Sequence, residues 1–196
     1  MAKLYFRYGA MGASKTSNAL MVEYNYRERD QNALIMKPSI DTREGVDIVK
    51  SRIGLGKKAI LVFPASNVFE IINEQNIIKK IDCVIIDEAQ FLSKDQVDQL
   101  CDVVDILSIP VIAYGLRADF RGELFEGSLR LLAMADTIEE IKTVCWCSRK
   151  AIMNARVING SVIKEGEQIL IGGNESYIAL CRKHWAEGNL GNRGKK

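Results

Sequence analysis

The stretch L-Y-F-R-Y-G-A-M-G-A-S-K-T, which runs from Leu4 to Thr16, decides the fold of this chain. Its first five residues have the composition of a short buried strand, and a glycine-containing loop follows them directly. A phosphate-binding loop usually has a glycine, four further residues, a second glycine, a lysine, and a serine or threonine. Gly9, Lys15 and Thr16 keep that spacing, whereas Ser14 stands in place of the second glycine. The segment therefore predicts a phosphate-binding loop between a strand and a helix.

The residue types of this loop suit phosphate chemistry. Glycine lets the backbone approach a phosphate closely and direct its N–H groups inward, and a helix that starts at the end of the loop points its positive pole at the same phosphates. Lys15 is expected to reach the outer phosphates, and the hydroxyl of Thr16 to ligate Mg²⁺. A glycine-rich turn with a chance Lys-Thr pair is the alternative. The candidate phosphate-binding residues are Gly9, Ala10, Met11, Gly12, Ala13, Ser14, Lys15 and Thr16.

A second motif, I-D-C-V-I-I-D-E-A-Q-F, lies at residues 81–91. Its apolar centre, 83–86, contains β-branched residues in a pattern typical of a strand buried on both faces. Asp87 and Glu88 follow this strand, and open α/β sheets bind ligands at the carboxyl ends of their strands. Asp87 is therefore predicted to hold the Mg²⁺ that Thr16 coordinates, and Glu88 to face a reacting group. Two solvated acids at the start of a loop are the alternative.

Strand and helix patterns alternate as far as residue 144. This alternation predicts an α/β domain, residues 1–144, with a mostly parallel sheet covered by helices. Ser93 and Gln96 form a capping box at the start of one helix. The expected strands are 4–8, 33–37, 59–63, 83–86, 111–115 and a weaker one in 138–144, and the expected helices are 16–29, 66–80, 93–107 and 122–135.

A polar, glycine-containing connection occupies residues 41–58 and holds Arg43 and Arg52. Connections of this length are often functional or mobile. Arg43 is therefore a candidate phosphate-binding residue, and a solvated surface arginine is the alternative.

Short segments and turn signals replace the alternation after residue 144. Asn159 and Gly160 stand between two apolar stretches as the turn of a β-hairpin, and residues 168–171 are expected to form a further strand. We infer a small second domain, residues 145–186. The tail, residues 187–196, is rich in glycine, asparagine and basic residues and is predicted to be disordered.

The small domain carries Cys145 and Cys147 at one end and Cys181 and His184 at the other, and His184 is the only histidine of the chain. Three thiolates and an imidazole form a closed tetrahedral set typical of structural zinc, with no open position for catalysis. A domain of about forty residues cannot build an adequate core alone, so a metal would stabilise it. The single residue between the first two cysteines is a tight spacing, and reduced cysteines beside a surface histidine are the alternative.

Composition favours a soluble globular protein. The chain has 196 residues, 47% of them hydrophobic, which suffices for one good core. A net charge of +2 gives no strong field for polyanions, and no apolar stretch is long enough to cross a bilayer. Five cysteines without a secretion signal argue against a disulfide framework, so the cytoplasm is the expected compartment.

These observations predict a P-loop phosphotransferase or ATPase with a zinc-clipped lobe. A nucleic-acid-dependent ATPase is a competing class, because Asp-Glu-Ala-Gln resembles helicase motifs, and a non-enzymatic zinc module that binds nucleotide or nucleic acid is a third. Helicases generally need two such domains. A nearly neutral chain without a basic stripe also argues against nucleic acid as a partner, and no membrane partner is expected.

The motifs resemble those of the cytosolic, zinc-containing (type II) thymidine kinases, and the resemblance covers nearly the whole chain. Ser14 and the Cys-x-Cys spacing resemble variants of one bacterial branch of that family. The resemblance implies a RecA-like P-loop domain with a small zinc-clipped lasso domain, and transfer of the ATP γ-phosphate to the 5′-hydroxyl of thymidine in nucleotide salvage. The matching segments are G-A-M-G-A-S-K-T at 9–16, D-T-R at 41–43, D-E-A-Q-F at 87–91, Y-G-L-R-A-D-F-R-G-E-L-F at 114–125, I-G-G-N-E-S-Y at 171–177 and C-R-K-H at 181–184.

The resemblance also implies roles for individual residues. Glu88 matches the catalytic base that takes the proton of the 5′-hydroxyl. Family members are commonly homotetramers inhibited by dTTP, so both properties are expected here. ATP with Mg²⁺ would be held by the loop residues together with Arg43, Asp87, Glu88, Ala89 and Gln90. Thymidine would be bound by the aromatic residues Phe120 and Tyr177, the apolar walls Met11 and Leu116, and the backbone of Leu170, Ile171 and Gly172.

Overall fold

A computed structural model describes residues 1–41, 45–169 and 177–191. No helix in these ranges combines the length and the apolar character that crossing a membrane requires. The strands are β1 Leu4–Tyr8, β2 Ala33–Pro38, β3 Ile48–Lys50, β4 Gly56–Lys58, β5 Ile60–Val62, β6 Cys83–Ile86, β7 Val111–Gly115, β8 Thr137–Glu140, β9 Thr143–Val144, β10 Lys150–Ala151, β11 Met153–Ile158, β12 Ser161–Ile163 and β13 Tyr177–Leu180. The helices are α1 Lys15–Arg27, α2 Val68–Ile78, α3 Lys94–Asp105, α4 Glu126–Met134 and α5 Arg182–Glu187.

Six of these strands form a parallel sheet in the order β5-β2-β6-β7-β1-β8. Parallel neighbours need crossover connections, which the helices of this part of the chain supply. The strands that precede the two predicted functional motifs, β1 and β6, flank β7, so both motifs emerge at the same edge of the sheet. The predicted α/β class and parallel sheet are confirmed.

Helices cover both faces of this sheet. Val84 and Ile86 of β6 pack with the side chains of α2, α3 and α4, whereas Cys83 and Ile85 pack on the opposite face with those of α1. Successive strand residues point to opposite faces, so a strand covered on both sides must be apolar at every position. All four residues are fully buried, which explains the continuous apolar run of this strand.

The polar connection after β2 contains more structure than its sequence predicted. β3 and β4 form an antiparallel hairpin within it, and Val49 at the centre of β3 is buried on the α1 side of the sheet. Each strand has only three residues, and the buried valine stands between Ile48 and Lys50 and pairs with Lys57 of β4. So short an alternation cannot be distinguished from a polar loop in the sequence.

The remaining strands build a small lobe, residues 143–191. Thr143 and Val144 pair with β10, so the lobe begins before Cys145. β11 lies between β12 and β13 in an antiparallel sheet. Asn159 and Gly160, with φ of 49° and 75°, form the predicted two-residue turn between β11 and β12.

The end of the small lobe differs from its predicted state. Residues 187–191 were expected in a disordered tail, but Leu190 is buried in the lobe, and the carbonyl of Asn189 accepts a hydrogen bond from the Trp146 indole at 3.1 Å. One apolar residue in a polar segment gives no pattern to recognise. Gln168 and Ile169 lie outside the strands, and the rest of the strand predicted at 168–171, like residues 192–196, lies outside the described residues.

Candidate active site

Several loops meet at the carboxyl edge of the parallel sheet around a cavity of about 550 Å³. Lys15, Asp41, Asp87 and Leu116, which follow β1, β2, β6 and β7, all line it. Asn154 of the small lobe closes part of its wall. This is the edge at which open α/β sheets bind ligands.

The loop after β1 has the backbone shape that close phosphate contact requires. An added Cβ at Gly9 would lie 2.4 Å from the carbonyl oxygen of Ile141, so a larger residue would displace the backbone. Gly12 and Ser14 have φ of 76° and 59°, in the left-handed region that favours glycine. Ser14 adopts this conformation at a cost of about 1–2 kcal/mol. The geometry explains why glycine is usual at this position and shows that serine preserves the loop.

Lys15 begins α1 directly after this loop. Its ammonium donates hydrogen bonds to the carbonyl oxygens of Gly9 and Ala10, each at 3.0 Å, and its side chain is buried. The lysine therefore folds back over its own loop and brings positive charge to the N-terminus of the helix. Loop amides, ammonium and helix pole together form a site suited to a phosphate group.

Thr16 and Asp87 are in direct contact, because the threonine hydroxyl donates to Oδ2 of the aspartate at 2.9 Å. The other carboxylate oxygen, Oδ1, is buried and has no hydrogen-bond partner among the described residues. Burial, assisted by the charge of Glu88, raises the pKa of Asp87 to about 7, although Thr16 and Lys15 act in the opposite direction. A buried carboxylate oxygen without a partner, beside a hydroxyl, is a donor set that suits Mg²⁺.

Glu88 has φ of 53° and ψ of 36°, a left-handed conformation that is uncommon for glutamate. Its carboxylate accepts a hydrogen bond of 2.5 Å from the side-chain amide of Gln90, whose Oε1 accepts from the backbone N–H of Leu116 at 2.9 Å. Gln90 is buried, and an added Cβ at Gly115 would lie 2.8 Å from its Oε1. Gln90 therefore connects the glutamate with the loop after β7.

Phe120 and Tyr177 form an aromatic wall of the same cavity. Arg156 joins them, because its Cζ lies 3.7 Å from the centroid of the Phe120 ring and its Nε donates to the Tyr177 hydroxyl at 3.0 Å. Arg156 is only 4% exposed and also donates to the carbonyl of Gln168. The indole of Trp185 donates to the Phe120 carbonyl at 2.9 Å. An aromatic wall fixed on two sides suits a planar ring.

Sequence reasoning missed three contributions to this cavity. Residues 48–53 of the β3–β4 hairpin line it, and an added Cβ at Gly12 would lie 3.8 Å from Nη1 of Arg52. Asn154 and Arg156 were also missed. Both are buried polar residues at alternate positions of β11, so they share one face of the strand. Two polar residues alternating with apolar ones were the available signal.

The other predicted site residues fall into three groups. Met11 and Leu116, predicted as apolar walls, both line the cavity. Ala89 lies in the hydrophobic core rather than at the cavity. Arg43 and the segment Leu170, Ile171 and Gly172 lie outside the described residues.

Cys145, Cys147, Cys181 and His184 converge in the small lobe, with their ligand atoms within 4.8 Å of one another. The Sγ of Cys145 lies 3.4 Å from Nδ1 of His184, and the sulfurs of Cys147 and Cys181 are 3.9 Å apart. Tetrahedral zinc, with bonds of about 2.3 Å to sulfur and about 2.0 Å to nitrogen, separates its ligand atoms by roughly 3.5–3.8 Å. The cluster therefore fits a zinc ion.

The surroundings of Cys145 favour its thiolate. Burial opposes ionisation, but the backbone N–H groups of Cys147 and Cys181 and the imidazole of His184 lower the pKa of this thiol to about 6. The ring of Trp146 stacks on His184, with 4.2 Å between their centroids. Thiolates are the form in which cysteine binds metals. The cluster joins the β9–β10 turn to the start of α5 and so closes the lobe.

Comparison with known proteins agrees with these features. The family model for thymidine kinase matches residues 2–185. The chain is 56% identical over 188 residues to a thymidine kinase of Haemophilus influenzae (strain ATCC 51907), covering 95% of this chain and 97% of that protein. It is 53% identical over 193 residues to the enzyme of Legionella pneumophila strain Paris (97% and 92% covered), and 53% identical over 186 residues to that of Lactiplantibacillus plantarum (94% and 96% covered). The chain belongs to the thymidine kinase family.

Proposed function

We propose that this protein is a thymidine kinase, which transfers the γ-phosphate of ATP to the 5′-hydroxyl of thymidine in nucleotide salvage and releases dTMP and ADP. The observation that carries the proposal is the shared cavity, which is lined by the phosphate loop, by Asp87 and Glu88, and by Phe120 and Tyr177. A nucleoside kinase needs a triphosphate site and a site for a planar base that open onto one another. Membership of the family supports the same activity.

At the phosphate end, the loop amides and Lys15 would bind the β- and γ-phosphates. Thr16 and Asp87 would hold Mg²⁺, and the Oδ1 of Asp87, which has no hydrogen-bond partner in the described part of the chain, supports this role. When bound, the ion neutralises charge on the phosphate oxygens. Arg43 remains a prediction from the family resemblance as a further phosphate contact.

At the reacting centre, Glu88 would act as the base. A bond forms between the 5′-oxygen of thymidine and the γ-phosphorus, and the bond from that phosphorus to its bridging oxygen on the β-phosphate breaks. The hydroxyl proton passes to the carboxylate of Glu88, and ADP leaves with the electron pair. Gln90 donates to this carboxylate and would hold it in position.

At the base end, Phe120 and Tyr177 would line the thymine ring, with Met11 and Leu116 as apolar walls beside its methyl group. Hydrogen bonds from the backbone of 170–172 to the base remain a prediction from the resemblance. Zinc would have a structural role, because four protein ligands leave no open position on the ion.

The remaining properties are proposed on the family resemblance and on the sequence pattern. They are inhibition by dTTP, a homotetrameric state, a cytoplasmic location and a separate small domain, which was predicted at 145–186 and which we describe as the lobe at 143–191. Inhibition kinetics with dTTP, light scattering and limited proteolysis would test the first, second and fourth.

A nucleoside panel with ATP and Mg²⁺, read by product mass, tests the proposed activity. We expect thymidine to gain one phosphate and to release an equal amount of ADP, with little ADP formed when no nucleoside is present. ADP release that requires a polynucleotide would instead support the competing nucleic-acid-dependent ATPase. A panel in which no nucleoside is phosphorylated would contradict the proposal.

A further inference from the structure

Asn154 is a side chain of the small lobe that contacts the phosphate loop directly. Its Oδ1 accepts a hydrogen bond from the backbone N–H of Met11 at 2.8 Å, and its Nδ2 donates to the carbonyl of Ala118 at 2.9 Å. The residue is only 4% exposed. A side-chain amide offers a donor and an acceptor at once, so it satisfies both backbone groups.

The contact with Met11 completes the anchoring of the phosphate loop. The start of the loop is held by the sheet, since the N–H of Gly9 donates to the carbonyl of Gly115 at 3.2 Å, and the N–H of Ala13 donates back to Ala10 at 3.2 Å. The middle of the loop is held by Asn154, which belongs to the other lobe. The loop thus forms a hydrogen bond with a residue more than a hundred positions away in the sequence.

Arg156 provides an internal comparison, because it lies two residues further along the same face of β11. Its guanidinium contacts Phe120 and Tyr177, at the aromatic wall. One strand of the small lobe therefore contacts the phosphate loop through Asn154 and the aromatic wall through Arg156.

We propose that Asn154 is a positioning residue, which holds the phosphate loop in its ATP-binding conformation and makes ATP affinity depend on the small lobe. This inference rests on the proposed function, since it assumes that the loop binds ATP. A merely structural asparagine would stabilise the lobe without affecting ATP more than thymidine.

The variant Asn154→Leu tests the proposal, because leucine is similar in size and removes both hydrogen bonds. We expect the Kd for ATP, measured by calorimetry without nucleoside, to rise roughly tenfold, which corresponds to about 1.4 kcal/mol. The Kd for thymidine should stay within about twofold of the parent value. Val157→Ala is the matched control, since it removes packing within the same lobe and leaves both hydrogen bonds in place, and its ATP affinity should be unchanged.

Hydrogen exchange of the phosphate loop gives a second measurement. Asn154→Asp keeps the volume and the acceptor for Met11 but loses the donor to Ala118. We expect faster exchange at residues 9–14 in the Leu variant than in the Asp variant, with zinc content equal to that of the parent. If the Leu variant does not fold, Asn154→Ala replaces it, because it also removes both hydrogen bonds. Loop exchange as slow as that of the parent in the Ala variant would then overturn the inference.

Unchanged ATP affinity in a folded Asn154→Leu variant would overturn the inference, and so would equal losses of affinity for ATP and for thymidine. Failure of the proposed function is distinguishable from both results. The parent protein would then not phosphorylate thymidine, while direct ATP binding would still report on Asn154.

Discussion

The phosphate end and the aromatic end of the cavity are built in different ways. The phosphate loop is one continuous segment, residues 9–16. The left-handed Gly12 and Ser14 and the buried Lys15 are local features of it, whereas Ile141 and Asn154 contact it from distant parts of the chain. The aromatic wall takes Phe120 from the sheet domain, whereas Tyr177 and Arg156 come from the small lobe. The comparison shows that a site made by a local segment can be recognised in the sequence, while one made by two lobes depends on how they pack.

Loss of zinc should cause the largest loss of stability, and it should affect the aromatic end more than the phosphate end. Zinc binding contributes about 10–16 kcal/mol in finger peptides, as much as the stability of a whole domain. Cys181→Ser or His184→Ala should therefore release the aromatic wall and weaken thymidine binding more than ATP binding. Metal analysis and separate titrations with both ligands measure this, and Cys101→Ser, outside the metal cluster, is the control.

ATP affinity should also fall somewhat in these zinc-ligand variants, because Asn154 connects the lobe with the phosphate loop. Equal losses of affinity for ATP and thymidine would contradict the expected difference between the phosphate end and the aromatic end. A purified parent protein with far less than one zinc per chain would contradict the metal assignment itself.

Removal of the Lys15 ammonium should cause the next largest loss, a fall in kcat/KM that arises at the phosphate end alone. One electrostatic contact of this kind supplies about 3–4 kcal/mol of transition-state stabilisation, so Lys15→Ala should lower kcat/KM by roughly two to three decades. Steady-state kinetics measure the change, and Lys58→Ala, an exposed lysine of the nearby hairpin, is the control. Turnover within a few-fold of the parent would show that the loop does not act on the phosphate.

Glu88→Gln tests the centre of the cavity, where both ends meet. Removal of a general base costs about 10²–10⁴ in rate, and a loose transition state places the loss at the low end, near 10². The kcat should fall accordingly while ATP affinity remains nearly intact, as a rapid-quench assay and calorimetry would show. Glu74→Gln, on an exposed part of α2, should change neither quantity. Near-normal kcat in the Glu88 variant would contradict its role as the base.

A smaller effect, on stability, is expected for a substitution of Lys37, whose buried ammonium binds backbone carbonyls at the start of the β3–β4 hairpin. Its ammonium donates hydrogen bonds to the carbonyl oxygens of Gly45 and Ile48, each at 2.9 Å, and lies 3.9 Å from Oδ2 of Asp41. The side chain of the lysine is only 1% exposed. Lys37→Met should lower the free energy of unfolding by about 2–3 kcal/mol, because the two carbonyl oxygens and the carboxylate of Asp41 lose their positively charged partner. Urea unfolding measures the loss, and the Kd for ATP should rise more than that for thymidine. A variant as stable as the parent would show that the hairpin does not need this lysine.

The smallest change in stability is expected for Ser14→Gly, which relieves the strain of a serine in the left-handed conformation. The gain in stability should not exceed about 1 kcal/mol, since the glycine also gains freedom in the unfolded chain. Activity should stay near that of the parent, whereas Ser14→Val should lose much of it, because β-branched residues resist positive φ. Thermal unfolding and kinetics compare the two variants. Equal activity in both would mean that this conformation is not needed for catalysis.

The sequence by itself determined the elements whose causes are local. The apolar run of β6, the capping box of Ser93 and Gln96, and the Asn159-Gly160 turn each follow from residues close together in the chain. The phosphate loop was recognisable for a similar reason, because Gly9, Lys15 and Thr16 keep a fixed spacing within one segment. Distant backbone and side-chain groups, at Ile141 and Asn154, nevertheless contact it in the fold. The metal ligands were also recognisable, since cysteine and histidine have few other reasons to occur in such a pattern.

Only the tertiary structure decided where the two lobes meet. The pairing of Asn154 with Met11 and the stacking of Arg156 on Phe120 join the two lobes, and the burial of Lys37 joins β2 to the hairpin that follows it. A polar residue is stable inside a protein when a partner satisfies it, and the partner is selected by packing rather than by neighbours in the chain. A buried asparagine, arginine or lysine therefore looks like a surface residue until the structure brings its partner into contact.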